Sequence, residues 1–131
     1  MRGIVYNTYM HTRHFIKTLA SIVAATFISL SNFSDARETG IASYYSTKTG
    51  TQTASGKPLK DTEYTAAHRT LKFGTKVRVT NTRNDKSIVV TITDRGPFIK
   101  GRVIDLTVAG AKALGFHSRG LAVVKVEVVK G

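Results

Sequence analysis

The sequence predicts a mainly β fold, a small closed barrel of about six short strands with one helix. Several short segments alternate between apolar and polar residues, which is the period of a strand with one buried face. Residues typical of turns, chiefly Gly, Asn and Asp, separate these segments. Without a predicted leader, 95 of the 131 residues remain and none is Cys, so the sheet must close well to bury a stable core.

Residues 1–36 have the pattern of a secretory signal peptide. Three basic residues come first: Arg2, Arg13 and Lys17. The uncharged segment 19–30 is mostly apolar. Ser34 and Ala36 place small residues at positions −3 and −1 of the predicted cleavage site. Because this apolar segment is shorter than the roughly 20 residues that span a bilayer, we expect cleavage after Ala36 and no stable membrane anchor. Met10 offers an alternative start codon to Met1.

The chain is strongly basic, with 20 Lys and Arg against eight Asp and Glu and a net charge of +12. Residues 1–36 hold three of these bases and one of the acids, so the predicted mature domain, 37–131, carries +10. Such a charge favours a polyanionic partner, namely nucleic acid, anionic lipid or an acidic wall polysaccharide. The leader argues against nucleic acid, and we expect a monomer that is periplasmic or secreted.

The absence of Cys excludes several kinds of site. Without Cys, the chain cannot form a disulfide, use a thiol nucleophile or carry a lipid on an N-terminal Cys, so we do not expect a lipoprotein. Two widely spaced His follow the leader, and this spacing predicts no zinc site. The chain contains no P-loop or dinucleotide motif, and we expect no metal and no cofactor.

Six segments predict the strands: 40–45, 65–68, 75–81, 87–93, 102–106 and 121–129. In the third, Val77 and Val79 should face the core, and residues 84–85 offer a hairpin turn into the fourth. The last strand has four residues on one apolar face: Ala122, Val124, Val126 and Val128. One helix is predicted over 108–114, because Thr107 can cap its start and Gly115 can end it in the left-handed conformation.

Asp94 ends the fourth predicted strand. Ile88, Val90 and Ile92 share one face of that strand at period two, and Asp94 falls on the same face. Gly96-Pro97 then breaks the strand. A carboxylate in this position is either bound by backbone N–H groups or available for chemistry, and the end of a strand is a common place for a functional group.

Six motifs occur in one order at close spacing: Gly-Ile-Ala-Ser-Tyr-Tyr at 40–45, Thr-Ala-Ser-Gly at 53–56, Thr-Ala-Ala-His-Arg-Thr-Leu at 65–71, Gly-Thr at 74–75, Asp-Arg-Gly-Pro-Phe at 94–98 and Arg-Val-Ile-Asp-Leu at 102–106. The set resembles the rare lipoprotein A (RlpA) family of septal-ring lytic transglycosylases. The resemblance implies a six-stranded double-psi β-barrel, shared with expansins. It also implies cleavage of peptidoglycan glycan strands, preferably without stem peptides, to 1,6-anhydromuramic acid ends, with cell-division proteins as further partners.

The resemblance also implies roles for site residues. Asp94 and His68 match polar site residues of the family, which makes Asp94 the candidate acid and base, since one carboxyl group can perform both proton transfers in turn. His68 would orient Asp94 or share a proton with it. Arg95 is a candidate for substrate binding, although a guanidinium that points inward would keep Asp94 ionised. Tyr44 and Tyr45 alternate on a strand, so one should pack in the core and the other could stack on a sugar.

Two positions depart from the family pattern. Active members usually have Glu directly after Thr-Ala-Ser-Gly and often Asp three residues later, and this chain has Lys57 and Lys60 there. Lys57 either binds the lactyl carboxylate of muramic acid or is a solvated loop residue. Asp61 and Glu63 lie nearby in a different register. These departures keep open a second function, a non-catalytic, expansin-like module that binds or loosens the wall.

Overall fold

Six strands close into a barrel in the computed structural model, which describes residues 37–130. The strands are β1 (Arg37–Tyr44), β2 (Thr65–Ala67), β3 (Lys76–Asn81), β4 (Ser87–Asp94), β5 (Arg102–Leu106) and β6 (Ala122–Val128). Their order around the barrel is β1-β5-β2-β4-β3-β6. The pairs β1–β5 and β2–β4 are parallel and the other four are antiparallel. The predicted closed six-stranded barrel is confirmed, whereas the predicted leader 1–36 lies outside the described residues.

The apolar face of each strand fills the barrel interior. In β3 and β4, Val77, Val79, Val90 and Ile92 are fully or almost fully buried, as their alternation predicted. Gly40 lets β1 approach β5 closely, because a Cβ on Gly40 would lie 2.3 Å from Cγ1 of Val103. The barrel therefore needs both the period-two pattern and one position without a side chain.

The strand boundaries differ from prediction mainly at β1, which starts at Arg37 rather than at residue 40. The extra residues pair with β6, where Glu38 lies opposite Val126, but they are polar and carry no apolar alternation. A 3-10 helix at Thr47–Thr49 was not predicted. Val128, expected on the buried face of β6, is exposed because it is the last residue of that strand.

The single α-helix among residues 37–130, α1 (Val108–Leu114), matches the prediction at both ends. The Thr107 hydroxyl accepts a hydrogen bond from the Gly110 N–H, and Gly115 adopts the left-handed conformation with φ of 78°. Leu114 is fully buried against the barrel core. Within this part of the chain, no helix is long and apolar enough to cross a membrane.

A register shift in the parallel pair β2–β4 sets up the end of the barrel that carries Asp94. The shift falls between Ala66 and Ala67, so that Ala67 pairs with Asp94. The next residue, His68, donates its backbone N–H to the Asp94 carbonyl at 3.1 Å. Pairing with β2 and with the residue after it therefore fixes the backbone of Asp94, which leaves its side chain to be positioned by the loops.

Candidate active site

Asp94 is held by three hydrogen-bond donors. Its Oδ1 accepts from the backbone N–H of Ala54 at 2.8 Å and from that of Arg95 at 2.9 Å. Its Oδ2 accepts from the Tyr45 hydroxyl at 3.2 Å. The side chain is half-buried. All three donors are uncharged, so the carboxylate is oriented without an ion pair.

The Ala54 N–H reaches Asp94 because the turn at residues 53–57 is attached to β4. The Ser55 N–H donates to the Thr93 carbonyl at 3.1 Å, and the Gly56 N–H closes the turn on the Thr53 carbonyl at 3.0 Å. Gly56 has φ of 86°, a conformation that favours glycine. The Thr-Ala-Ser-Gly motif thus serves the site by placing a backbone N–H group on the carboxylate. Its side chains therefore need little chemistry of their own.

Tyr45 is the side chain that contacts the second oxygen of Asp94. Burial raises the pKa of the Tyr45 hydroxyl well above its usual range, and the negative charge of Asp94, its hydrogen bond and the charge of Asp105 raise it further. The hydroxyl therefore stays protonated at neutral pH. A hydroxyl can donate to a carboxylate and accept from a carboxylic acid, so Tyr45 can serve Asp94 in both protonation states.

Arg95 points away from the Asp94 carboxylate. Its guanidinium donates to the His68 carbonyl at 3.1 Å and lies 4.0 Å from the centroid of the Phe73 ring. Within residues 37–130, no Lys, Arg or His forms an ion pair with Asp94. An inward-pointing Arg95 paired with the Asp94 carboxylate is therefore not seen in this part of the chain, and the role of Arg95 in substrate binding stays a prediction.

His68 is buried beside Asp94, but its ring does not contact that carboxylate. Its Nε2 lies 2.8 Å from Oε2 of Glu38, and its Nδ1 accepts from the backbone N–H groups of Thr70 and Leu71, both at 3.2 Å. Because Nδ1 is an acceptor, the ring proton lies on Nε2 and is donated to Glu38. The expected side-chain contact between His68 and Asp94 is thus replaced by a backbone one.

Lys57 lies at the edge of the turn that binds Asp94. Its Nζ is 3.4 Å from Glu63, whose carboxylate is also 3.6 Å from Nζ of Lys60. Both lysine side chains are more than half exposed, so these ion pairs stabilise the fold little. Asp61 is engaged elsewhere, because it accepts from the N–H and the hydroxyl of Thr47, each at 2.9 Å. Neither acid is hydrogen-bonded to Asp94.

Tyr44 lies apart from this cluster. Its ring stacks on His117 at a centroid distance of 4.9 Å, packs edge-on against Phe116, and donates its hydroxyl to the His117 carbonyl at 3.0 Å. The structure therefore brings Tyr45 to Asp94 and leaves Tyr44 in a packing position. Sequence reasoning missed two participants, Ala54, whose donor is a backbone group, and Glu38, which is 30 residues from His68. Among residues 37–130, no group of three or more possible metal ligands forms.

Comparisons with known proteins identify the family and the fold. The model of the lytic transglycolase family matches residues 37–126. The probable endolytic peptidoglycan transglycosylase RlpA of Synechocystis is 45% identical over 119 residues, covering 86% of this chain and 37% of that protein. The Nostoc counterpart is 53% identical over 93 residues, covering 69% and 25%. The Pseudomonas aeruginosa protein is 44% identical over 108 residues, covering 82% and 32%. The chain thus spans well under half of each relative.

Two solved structures share the fold. The Streptomyces papain inhibitor aligns with a TM-score of 0.60 at 22% identity, covering 72% of this chain and 94% of the inhibitor. A Clavibacter michiganensis expansin mutant, solved in complex with cellohexaose, aligns with a TM-score of 0.57 at 19% identity, covering 72% and 50%. Sequence identities this low support a shared fold and nothing further. Together with the family match, it confirms the predicted double-psi β-barrel.

Proposed function

Because this chain belongs to the lytic transglycolase family of double-psi β-barrel domains, we propose that it is an exported lytic transglycosylase. Its substrate would be the glycan strand of peptidoglycan, preferably strands without stem peptides, and its products would end in 1,6-anhydromuramic acid. The observation that carries the proposal is the Asp94 carboxylate. Within residues 37–130, three uncharged donors orient it and no Lys, Arg or His forms an ion pair with it.

The chemistry requires two proton transfers. The glycosidic bond between the anomeric carbon of muramic acid and the leaving oxygen breaks, while Asp94 gives a proton to that oxygen. The 6-hydroxyl of the same sugar attacks the anomeric carbon and forms the anhydro ring. Asp94, now a carboxylate, takes the proton that the 6-hydroxyl loses. Asp94 gives one proton and takes one back, so it ends the reaction in its starting form, and no water is consumed.

The hydrogen bonds at Asp94 determine which oxygen carries the proton. Oδ1 already accepts hydrogen bonds from two backbone N–H groups. A backbone N–H group cannot accept a hydrogen bond from a protonated oxygen. Among residues 37–130, Oδ2 accepts only from the Tyr45 hydroxyl, which can accept as well as donate. The proton therefore belongs on Oδ2, and Tyr45 stabilises Asp94 before and after each transfer.

The experiment that tests this function uses purified glycan strands with and without stem peptides. Mass spectrometry of the products should detect anhydromuramic ends, formed faster from the stripped strands. Hydrolytic reducing ends in place of anhydro ends would contradict the mechanism. An unchanged substrate, with the protein folded and bound to it, would contradict catalysis altogether.

A non-catalytic wall-binding module is the second candidate, because Lys57 and Lys60 occupy positions where active family members usually have carboxylates. The expansin that shares the fold was solved with cellohexaose, and on this proposal the barrel would bind glycan in a comparable way. Replacing Lys57 by Glu separates the readings. A degenerate site should gain activity from Lys57→Glu, whereas a clamp for the lactyl carboxylate should lose affinity and rate.

Export is part of the proposal, with the wall as destination and glycan strands, and secondarily cell-division proteins, as partners. Cleavage after Ala36 predicts a mature N-terminus at Arg37, which N-terminal sequencing of periplasmic protein would check. Retention of residues 1–36 on the folded protein would overturn it.

The mature charge of +10 should draw the protein to anionic wall polymer, and binding to sacculi should weaken at 1 M salt, where the Debye length is about 3 Å.

A further inference from the structure

Phe98 is the most exposed large apolar side chain of residues 37–130, with 79% of its surface accessible. It follows Asp94 by four positions in the turn that ends β4. A single exposed apolar residue is ordinary on a protein surface. An aromatic ring left in water beside the candidate acid is a more specific observation, because burying such a ring would otherwise stabilise the fold.

The Phe98 ring lies close to the backbone of the turn. A Cβ built on Gly96 would lie 3.7 Å from Cε2 and 3.8 Å from Cδ2 of Phe98, which is ordinary van der Waals contact. The ring is therefore near Gly96, two residues from Asp94 in sequence, while most of its surface faces solvent. An aromatic face is thus accessible in the turn that begins at Asp94.

Other aromatic rings near this end of the barrel are already engaged. Tyr45 directs its hydroxyl to Asp94, and the Arg95 guanidinium covers one face of Phe73. Tyr44 packs on His117. The sugar-stacking role that the sequence suggested for a tyrosine of β1 is therefore better suited to Phe98.

We propose that Phe98 is a stacking platform for a pyranose ring of the glycan strand, one sugar away from the bond that faces Asp94. This inference rests on the proposed function, because it names how the same site holds its substrate. The C–H groups on one face of a pyranose make an apolar surface, which suits the face of an aromatic ring. The polar edges of the sugar would stay hydrated or reach the basic side chains of Arg95 and Lys100.

Two features favour a sugar over another occupant. The platform is continuous with the Asp94 turn, so a chain bound across Asp94 passes over it. The neighbouring Arg95 and Lys100 are positively charged, which complements the lactyl carboxylates of muramic acid. The exposed aliphatic residue Leu121 lies outside the Asp94 turn, next to Ala122 at the start of β6, so it supplies an apolar control.

The test measures affinity separately from turnover. In an Asp94→Asn background, the dissociation constant for purified glycan oligosaccharides without stem peptides is measured by calorimetry. Phe98→Ala should weaken binding about tenfold, the scale seen for losing one aromatic stacking contact. Phe98→Trp should keep or improve affinity, and Leu121→Ala should leave it unchanged. Thermal unfolding of each variant would verify that the exposed substitutions leave the fold intact.

Each outcome has a distinct meaning. Equal affinity of Phe98→Ala and its parent would overturn the platform while leaving the proposed function in place. Equal glycan affinity together with weaker binding of Phe98→Ala to vesicles of anionic lipid would assign the residue to a membrane surface instead. No glycan binding by any variant, including the parent, would overturn both the platform and the proposed function.

Discussion

Asp94 and Asp105 lie near the ends of two strands of one barrel, yet their surroundings differ in charge. Asp94 accepts hydrogen bonds from two backbone N–H groups and one tyrosine hydroxyl. Asp105 instead pairs with the guanidinium of Arg102, which also donates to the Ser43 hydroxyl at 2.6 Å. Both carboxylates are half-buried, so burial does not separate them.

The two aspartates differ in the charge of the groups that bind them. Asp105 pairs with Arg102 within β5, and Arg102 also bonds Ser43 on β1, so Asp105 helps to hold the residue that links the two strands. Within residues 37–130, uncharged donors orient Asp94 without such an ion pair, and the Tyr45 hydroxyl can reverse its role when a proton arrives. On the proposed function, Asp105 would therefore be structural and Asp94 would transfer protons.

The largest effect is expected for Asp94→Asn. The amide keeps the size of the side chain and can still accept from the two N–H groups, but it cannot transfer a proton. Formation of anhydro products should fall about 100-fold or more, while glycan affinity persists. Rates on one glycan substrate would measure this, with Asp105→Asn as the matched control. A rate unchanged by Asp94→Asn, or an equal loss of rate per folded molecule in both variants, would show that Asp94 and Asp105 do not differ in role.

The next effect concerns stability. Asp105→Asn removes the charge that balances Arg102, a side chain that is four-fifths buried, and should lower the free energy of unfolding by about 2 kcal/mol. Asp94→Asn should lower it by less, because its hydrogen bonds largely survive. Denaturant unfolding of both variants gives the two values. If Asp94→Asn proves the more destabilising, Asp94 belongs to the framework after all.

A smaller effect is expected for Tyr45→Phe, which removes the donor on Oδ2 of Asp94 and keeps the ring. The rate of anhydro-product formation should fall about tenfold, the scale of one hydrogen bond to a charged group. Phe substitution at Tyr44, whose hydroxyl bonds the His117 carbonyl, should leave the rate per folded molecule unchanged. Similar losses in both variants would mean that Tyr45 acts only through packing.

Tyr45 also makes an alkaline prediction. Its pKa is raised in the folded state, whereas an unfolded tyrosine titrates near pH 10. The folded state therefore holds the proton longer, so the associated stability is complete below about pH 10 and is lost as pH rises above it. Unfolding measured at increasing pH should show a shallower alkaline loss for Tyr45→Phe than for wild type. Identical slopes would contradict the buried hydrogen bond to Asp94.

The smallest effect separates the partners of His68. Because its ring bonds Glu38, the stability losses of His68→Ala and Glu38→Ala should be non-additive by about 1 kcal/mol in a double-mutant cycle. His68→Ala and Asp94→Asn should be coupled less strongly, because the two side chains share no hydrogen bond. The reverse pattern of coupling would restore a direct link between the imidazole and the acid.

Much of the fold could be predicted from the sequence because local patterns encode it. The alternation around Val77 and Val90 predicted buried strand faces, and Thr107 and Gly115 predicted both ends of α1. The start of β1 could not be predicted, since Glu38 and Thr39 are polar and become strand residues only by pairing with β6. Boundaries that depend on a distant partner carry no local signal.

The site was less predictable for the same physical reason. The position of Asp94 followed from the parity of β4, but two of its three donors come from residues 40 and 49 positions away, and one of those two is a backbone group. The Glu38 partner of His68 is equally remote in sequence. Phe98 was not singled out either, because no local pattern indicates that the fold leaves this aromatic ring exposed.

The most direct test of the central claim is the fate of oxygen during cleavage. Wild-type protein and Asp94→Asn are incubated with stripped glycan strands in water labelled with heavy oxygen, and the new chain ends are weighed by mass spectrometry. If Asp94 serves as acid and then as base to the 6-hydroxyl of the sugar, wild type yields anhydro ends without the label and Asp94→Asn yields almost none. Labelled reducing ends from wild type, or unlabelled anhydro ends formed equally well by Asp94→Asn, would contradict the account.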